Sequence, residues 1–176
     1  MKRLTVLSIV ILLFFPAGCT KTWVWTSAPQ ISTFENNYFK AMFEPLTREH
    51  TFYVLFRLEI ANRTKKDLKI DWNKTRYLLD DRSYGGFVFE GMDSQNISKQ
   101  TIPEDIVPAG EIFSKEIAPY KMLARAPLKY RERKEGEKAI KFGPLPAGKN
   151  GILLVVRQDG QEIREKIAVN INVTKE

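Results

Sequence analysis

Apolar and polar residues alternate along several stretches of the chain, which is the pattern of half-buried β-strands. In residues 51–61 the even positions are apolar, and Thr51, Arg57 and Glu59 stand on the opposite face. The even positions are Phe52, Val54, Phe56, Leu58 and Ile60. A polar turn over 62–67 and a second alternating stretch over 68–72 follow, so the pattern predicts a hairpin.

A second hairpin is predicted further along the chain. Residues 152–156 are apolar on both faces, as in a strand at the centre of a sheet. Asp159 and Gly160 then favour a tight turn. The returning stretch, 162–173, carries its apolar residues on one face, at Ile163, Ile167, Val169, Ile171 and Val173.

Other short apolar runs are separated by Gly- and Pro-containing turns, and no segment keeps a sustained helical period. The best helical candidate, residues 128–139, has only three apolar positions. About seven to nine strands without βαβ alternation predict an all-β fold, an antiparallel immunoglobulin-like β-sandwich over residues 34–176. The predicted core includes Trp72, at the end of a strand.

The first residues have a different character. Lys2 and Arg3 precede an apolar run over 4–15, which ends in small residues at 16–18. A bilayer-spanning helix needs about 20 apolar residues, so this run is too short to be one. Residues 1–18 therefore predict a cleavable export signal.

The end of this signal resembles that of bacterial lipoproteins, in which small residues precede a cysteine that is acylated and becomes the new N-terminus. Ala17, Gly18 and Cys19 match that motif. The resemblance implies that Cys19 is the lipid attachment site and that the bilayer is a partner. Thr20, in place of Asp, resembles the pattern that permits transfer to the outer membrane in Gram-negative bacteria, with the domain facing the periplasm.

The remainder resembles the small immunoglobulin-like or fibronectin III-like domains of bacterial envelope lipoproteins. The resemblance rests on residues 58–64, on the strand ending at Trp72, and on Pro-Ala-Gly turns at 108–110 and 146–148. The resemblance implies a fold and a cellular compartment, but it implies no catalytic activity and no ligand.

Residues 19–33 are predicted to be the lipidated cysteine and a short tether, because they are polar and lack a sustained period. Trp23 and Trp25 leave two alternatives open. The indoles either lie at the headgroup level of a membrane or form one face of a first strand docked on the domain.

The Cys and His content limits which catalytic and metal sites the protein can contain. The 176 residues include one Cys and one His, which excludes an internal disulfide, an iron–sulfur cluster and a zinc site of several cysteines and histidines. His50 has neither a cysteine nucleophile nor a second histidine beside it, so a surface position is expected. No catalytic residue, metal or cofactor is predicted, and the protein is not expected to be an enzyme.

Two further motifs could indicate a ligand site, but each is better explained as part of the fold. Residues 143–149 match the phosphate-loop pattern G-x-x-x-x-G-K, but Pro144 and Pro146 lack the N–H groups that such a loop needs. The acidic pairs at 80–81 and 104–105, and Glu90 with Asp93, do not follow calcium-loop spacing. Turn residues are the simpler interpretation.

Positive charge is concentrated in residues 121–141, which hold eight basic and three acidic residues. This segment is either a solvated loop or a surface for anionic lipids, glycans or an acidic partner. The candidate anion-binding patch is Lys129, Arg131, Arg133 and Lys134. Nucleic acid is not expected as a partner of an exported protein.

The sequence thus predicts a lipid-anchored protein of the cell envelope whose domain is a non-enzymatic interaction or structural module with an envelope protein partner. The alternative is a carrier or sensor that binds an anionic lipid or glycan through residues 121–141.

Overall fold

The computed structural model describes residues 22–89, 92, 101–124 and 141–176. Residues 1–18, Cys19, the helical candidate at 128–139 and the pair of Glu90 and Asp93 lie outside this range. The four residues of the candidate anion-binding patch also lie outside it: Lys129, Arg131, Arg133 and Lys134.

The described chain is an antiparallel β-sandwich, as predicted. In chain order the strands are β1 (Trp23–Ala28), β2 (Ser32–Glu35), β3 (Phe39–Leu46), β4 (Leu55–Asn62), β5 (Leu68–Ile70), β6 (Arg76–Leu79), β7 (Arg82–Ser83), β8 (Phe87–Val88), β9 (Asp105–Val107), β10 (Ile112–Pro119), β11 (Leu123–Ala124), β12 (Lys141–Phe142), β13 (Gly148–Gln158) and β14 (Gln161–Lys175). A single 3₁₀ turn, Tyr120–Met122, precedes β11.

The first sheet has seven strands in the order β1-β14-β13-β5-β9, with β6 paired to β13 and β7 paired to β6. The predicted hairpin of β13 and β14 is confirmed. Its turn residues Asp159 and Gly160 have φ angles of 51° and 79°, the positive values that a tight primed turn requires. The second sheet has the order β2-β3-β4-β10-β8.

The other predicted hairpin is not formed. β4 pairs with β3 and β10, whereas β5 lies in the opposite sheet. Both stretches have one apolar face, so alternation alone does not show which strand is the partner. The buried Asn62 side chain fixes the crossing, because its Nδ2 donates to the carbonyl oxygens of Lys66 and Val107 at 2.8 and 2.9 Å.

The core lies between the two sheets. Phe43 and Phe56 stack there with ring centroids 4.3 Å apart, and both are fully buried. Trp72 is 2% exposed, which confirms it as a core residue. Its Nε1 donates to Asp105 Oδ2 at 2.7 Å, so the polar atom of this buried ring has a partner.

The predicted tether requires a correction. Residues 23–28 form β1, which pairs with β14 from Trp23 opposite Lys175 to Ala28 opposite Asn170. The sheet therefore begins before the predicted domain start at residue 34. The reason is tertiary: β14 continues beyond Ile171, where its pairing with β13 stops, and β1 supplies the partner for that extension.

Candidate functional site

The N-terminal strand meets several other segments at one end of the sandwich. This end is named the entry end and consists of the tip of the β1–β14 ribbon, residues 47–53, the turn at 80–81, and β11 with β12. Trp25 contacts Phe52, with ring centroids 5.8 Å apart. This contact resolves the alternative for Trp25, because the ring packs on the domain.

Backbone hydrogen bonds hold the rest of the entry end together. Leu145 N–H donates to the Tyr53 carbonyl at 2.7 Å, and Asp80 N–H donates to the Lys149 carbonyl at 2.8 Å. The first bond joins the segment before β13 to the loop that follows β3, and the second joins the start of β13 to the turn at 80–81. The entry end is a structured surface.

Trp23 differs from Trp25 in exposure. It is the first residue of β1, and 54% of its surface is exposed. Lys175 lies directly opposite in the β1–β14 register, and its Nζ is 5.5 Å from the centroid of the Trp23 ring. An exposed indole and an ammonium group thus share the tip of the ribbon.

The basic segment begins and ends at the entry end. Leu123 in β11 and Phe142 in β12 face each other in register, and both pack against a small core that also contacts Phe52. Residues 125–140, which carry the candidate patch, connect these two strands. Lys121 is the one cation of the 121–141 segment whose side chain is described: it is exposed, with Nζ 4.3 Å from the Tyr84 ring centroid.

His50 lies exposed in the loop after β3, as expected. Its ring stacks on Phe52 with centroids 4.8 Å apart. Within the described ranges, His, Asp and Glu side chains form no group of three that would hold a metal ion.

The acidic pairs contact cations of the fold. Asp105 forms an ion pair with Lys115, whose Nζ also lies 4.0 Å from the centroid of the Phe89 ring. Glu104 pairs with Arg157. Asp105 and Glu104 therefore neutralise partly buried cations and stabilise the fold.

The turn at 80–81 and the G-x-x-x-x-G-K stretch bind each other. Asp80 Oδ1 accepts a hydrogen bond from Lys149 N–H at 3.0 Å, and Asp81 Oδ2 lies 2.9 Å from Lys149 Nζ. In a phosphate loop the lysine would be directed at a phosphate. Here it is paired with an aspartate of the neighbouring turn.

A buried polar pair that the sequence did not reveal supports the turn at residues 146–148. The Tyr77 hydroxyl donates to Asn150 Oδ1 at 2.5 Å, and Asn150 Nδ2 donates to the carbonyls of Pro146 and Gly148 at 2.9 Å. Burial raises the pKa of Tyr77 well above its usual value, with a smaller contribution from the Asp80 carboxylate. No motif or period distinguishes these residues in the sequence.

The opposite end of the sandwich contains an open cleft of about 600 Å³. Its lining holds equal numbers of basic and acidic side chains, and two pairs are in contact: Lys66 Nζ lies 2.6 Å from Asp159 Oδ2, and Arg157 pairs with Glu104. Because the opposite charges neutralise each other, the cleft does not form a dedicated anion site.

Comparison with protein-family models, curated proteins and solved structures finds no match for this chain. In the described ranges there is no helix with the length and apolar character of a membrane span.

Proposed function

We propose that this protein is a lipoprotein of the cell envelope, anchored through acylated Cys19, whose sandwich is a non-enzymatic interaction or structural module. The observation that carries the proposal is the position of β1, which begins only four residues after Cys19. In the sequence, a signal-like segment ends at that cysteine. The acyl chains and the folded sheet would therefore be separated by a very short link.

The anchoring chemistry is sufficient for stable attachment. Each buried CH₂ contributes about 0.8 kcal/mol, so one acyl chain holds a protein marginally and two or three hold it firmly. A module role is supported by the acidic pairs, which contact Lys115, Lys149 and Arg157 and thus serve the fold.

The test is a Cys19→Ala variant, with Thr20→Ser as the matched control beside it. We expect the control to remain in the detergent-requiring membrane fraction after salt washing, with an N-terminal peptide that has the mass of an acylated cysteine. The Cys19→Ala protein should lose both properties. Retention of the Cys19→Ala protein in that fraction would contradict the proposal.

A second function, binding of an anionic lipid or glycan through residues 121–141, has one specific observation in its favour. β11 and β12, which border residues 125–140, pack at the entry end on the same small core as Phe52, the ring that Trp25 of β1 contacts. A basic segment that starts and ends there would have its charges near the membrane surface. Attraction of such a segment to anionic headgroups is a general property of juxtamembrane cations.

A further inference from the structure

We infer that the tip of the β1–β14 ribbon rests on the lipid bilayer, with the Trp23 indole in the headgroup region and the Lys175 ammonium beside lipid phosphates. This inference rests on the proposed acylation of Cys19 and adds an orientation to it. The sandwich then stands on its entry end.

The first step is the reach of the chain. Four peptide units separate Cys19 from Trp23, and an extended chain spans at most about 3.6 Å per residue. The Trp23 backbone is therefore within about 14 Å of the acylated residue. Thr22 is already hydrogen-bonded to Glu176 at 2.9 Å in both directions, so the sheet extends one residue further toward Cys19.

The second step is the chemistry of the tip. Trp23 is a large apolar side chain left 54% exposed at the start of an edge strand. Indole rings favour the membrane interface, because the ring is apolar and its N–H has polar partners there. Lys175, whose Nζ lies 5.5 Å from that ring, supplies a positive charge at the same depth. The indole thus suits the membrane interface, and the ammonium group suits the lipid phosphates.

The third step is the orientation that follows. β14 runs from Gln161 to Lys175, and a strand rises about 3.3 Å per residue. With Lys175 at the bilayer, the turn at Asp159 and Gly160 lies roughly 45 Å away along the strand. The end of the sandwich that carries this turn and the polar cleft would then face away from the membrane and remain available to a protein partner.

The experiment uses the full acylated chain, reconstituted into vesicles of phosphatidylethanolamine and phosphatidylglycerol with and without acyl-brominated lipid, which quenches nearby indoles. We expect the wild type to lose roughly a third of its tryptophan emission, since one of its three tryptophans lies at the interface. The Trp23→Phe variant should lose clearly less, because Trp72 is buried in the core and the half-buried Trp25 ring packs on Phe52.

Two further variants sharpen the test. Tyr38→Trp in the Trp23→Phe background places an indole near Gln161, at the opposite end, and should not restore quenching. Lys175→Glu should lower the quenching in vesicles that contain phosphatidylglycerol and leave it unchanged in phosphatidylcholine. Peptide mass analysis of the same samples reports whether Cys19 is acylated.

The outcomes separate the two proposals. If Cys19 is acylated and Trp23→Phe is quenched as much as the wild type, the orientation is overturned while the anchor stands. If Cys19 carries no acyl group, the proposed function fails and the orientation fails with it.

Discussion

Thr22 and Glu176 exchange two backbone hydrogen bonds, each 2.9 Å long. They extend the β1–β14 ribbon by one residue pair beyond Trp23 and Lys175. Only residues 20 and 21 lie between Cys19 and this pair. An anchor at Cys19 would therefore act directly on a sheet of the sandwich.

The first prediction concerns truncation. A chain that lacks residues 1–21 keeps β1 and should fold cooperatively, whereas a chain that lacks 1–33 loses the strand that pairs with residues 170–175 of β14. Removing the Trp25–Phe52 contact also exposes a large aromatic surface, and burial of such a side chain contributes about 1.5–3 kcal/mol. Urea unfolding should show the longer deletion to be less stable by about 2 kcal/mol or more. Equal stabilities would mean that β1 is not part of the cooperative unit.

The second prediction concerns the core. Phe56→Ala should lower the free energy of unfolding by about 3–5 kcal/mol, because Phe56 is fully buried and its ring stacks on Phe43. Glu59→Ala, a control on the opposite face of β4, should cost under about 0.5 kcal/mol. Chemical denaturation of both variants provides the comparison, and similar losses would contradict the observed register.

The third prediction uses the pKa of Tyr77. Unfolded tyrosine loses its proton near pH 10, whereas buried Tyr77 keeps its proton above that pH. Above pH 10 the folded state then binds more protons, so its stability should fall as pH rises, by up to about 1.4 kcal/mol per pH unit. Below pH 10 this group should add no pH dependence.

Tyr77→Phe tests this directly. Near pH 7 the variant should be less stable by about 1–3 kcal/mol, because Asn150 Oδ1 loses its hydrogen-bond donor. Between pH 10 and about pH 12 the difference from the wild type should shrink, since the variant has no hydroxyl to ionise. Tyr38→Phe, which removes an exposed hydroxyl, is the control and should follow the wild-type profile. Parallel profiles for wild type and Tyr77→Phe would refute the assignment.

The fourth prediction concerns the basic segment. A chain beginning at Thr20, with the four candidate residues replaced by Ser, should bind anionic vesicles more weakly, most of all at low salt. The replaced residues are Lys129, Arg131, Arg133 and Lys134. Each cation near such a surface contributes about 1 kcal/mol, so affinity should fall by roughly several hundredfold.

Vesicle co-sedimentation at two salt concentrations measures this effect. The control replaces four exposed lysines elsewhere with Ser, at Lys40, Lys65, Lys69 and Lys166. A loss of equal size in the control would indicate a general charge effect. Unchanged binding in both variants would identify residues 121–141 as a solvated loop.

The all-β sandwich and the turn at Asp159 and Gly160 follow from local information. A strand with one buried face must alternate, and a two-residue turn with positive φ at both positions favours these residue types. Trp72 as a core residue follows from the same reasoning. Each of these features is determined within a few neighbouring residues, so the sequence alone is sufficient to predict them.

Strand partners depend on contacts between distant residues. Alternation shows that β4 and β5 each bury a face, but only the folded chain places them in different sheets, with Asn62 bonded to Val107 across the crossing. Likewise, the polar composition of residues 20–33 predicts a tether, but residues 23–28 pair with β14 and form a strand. The pairing of Trp23 with Lys175, and of Tyr77 with Asn150, joins positions far apart in sequence. Such pairs arise from long-range packing, which leaves no local period or motif to detect.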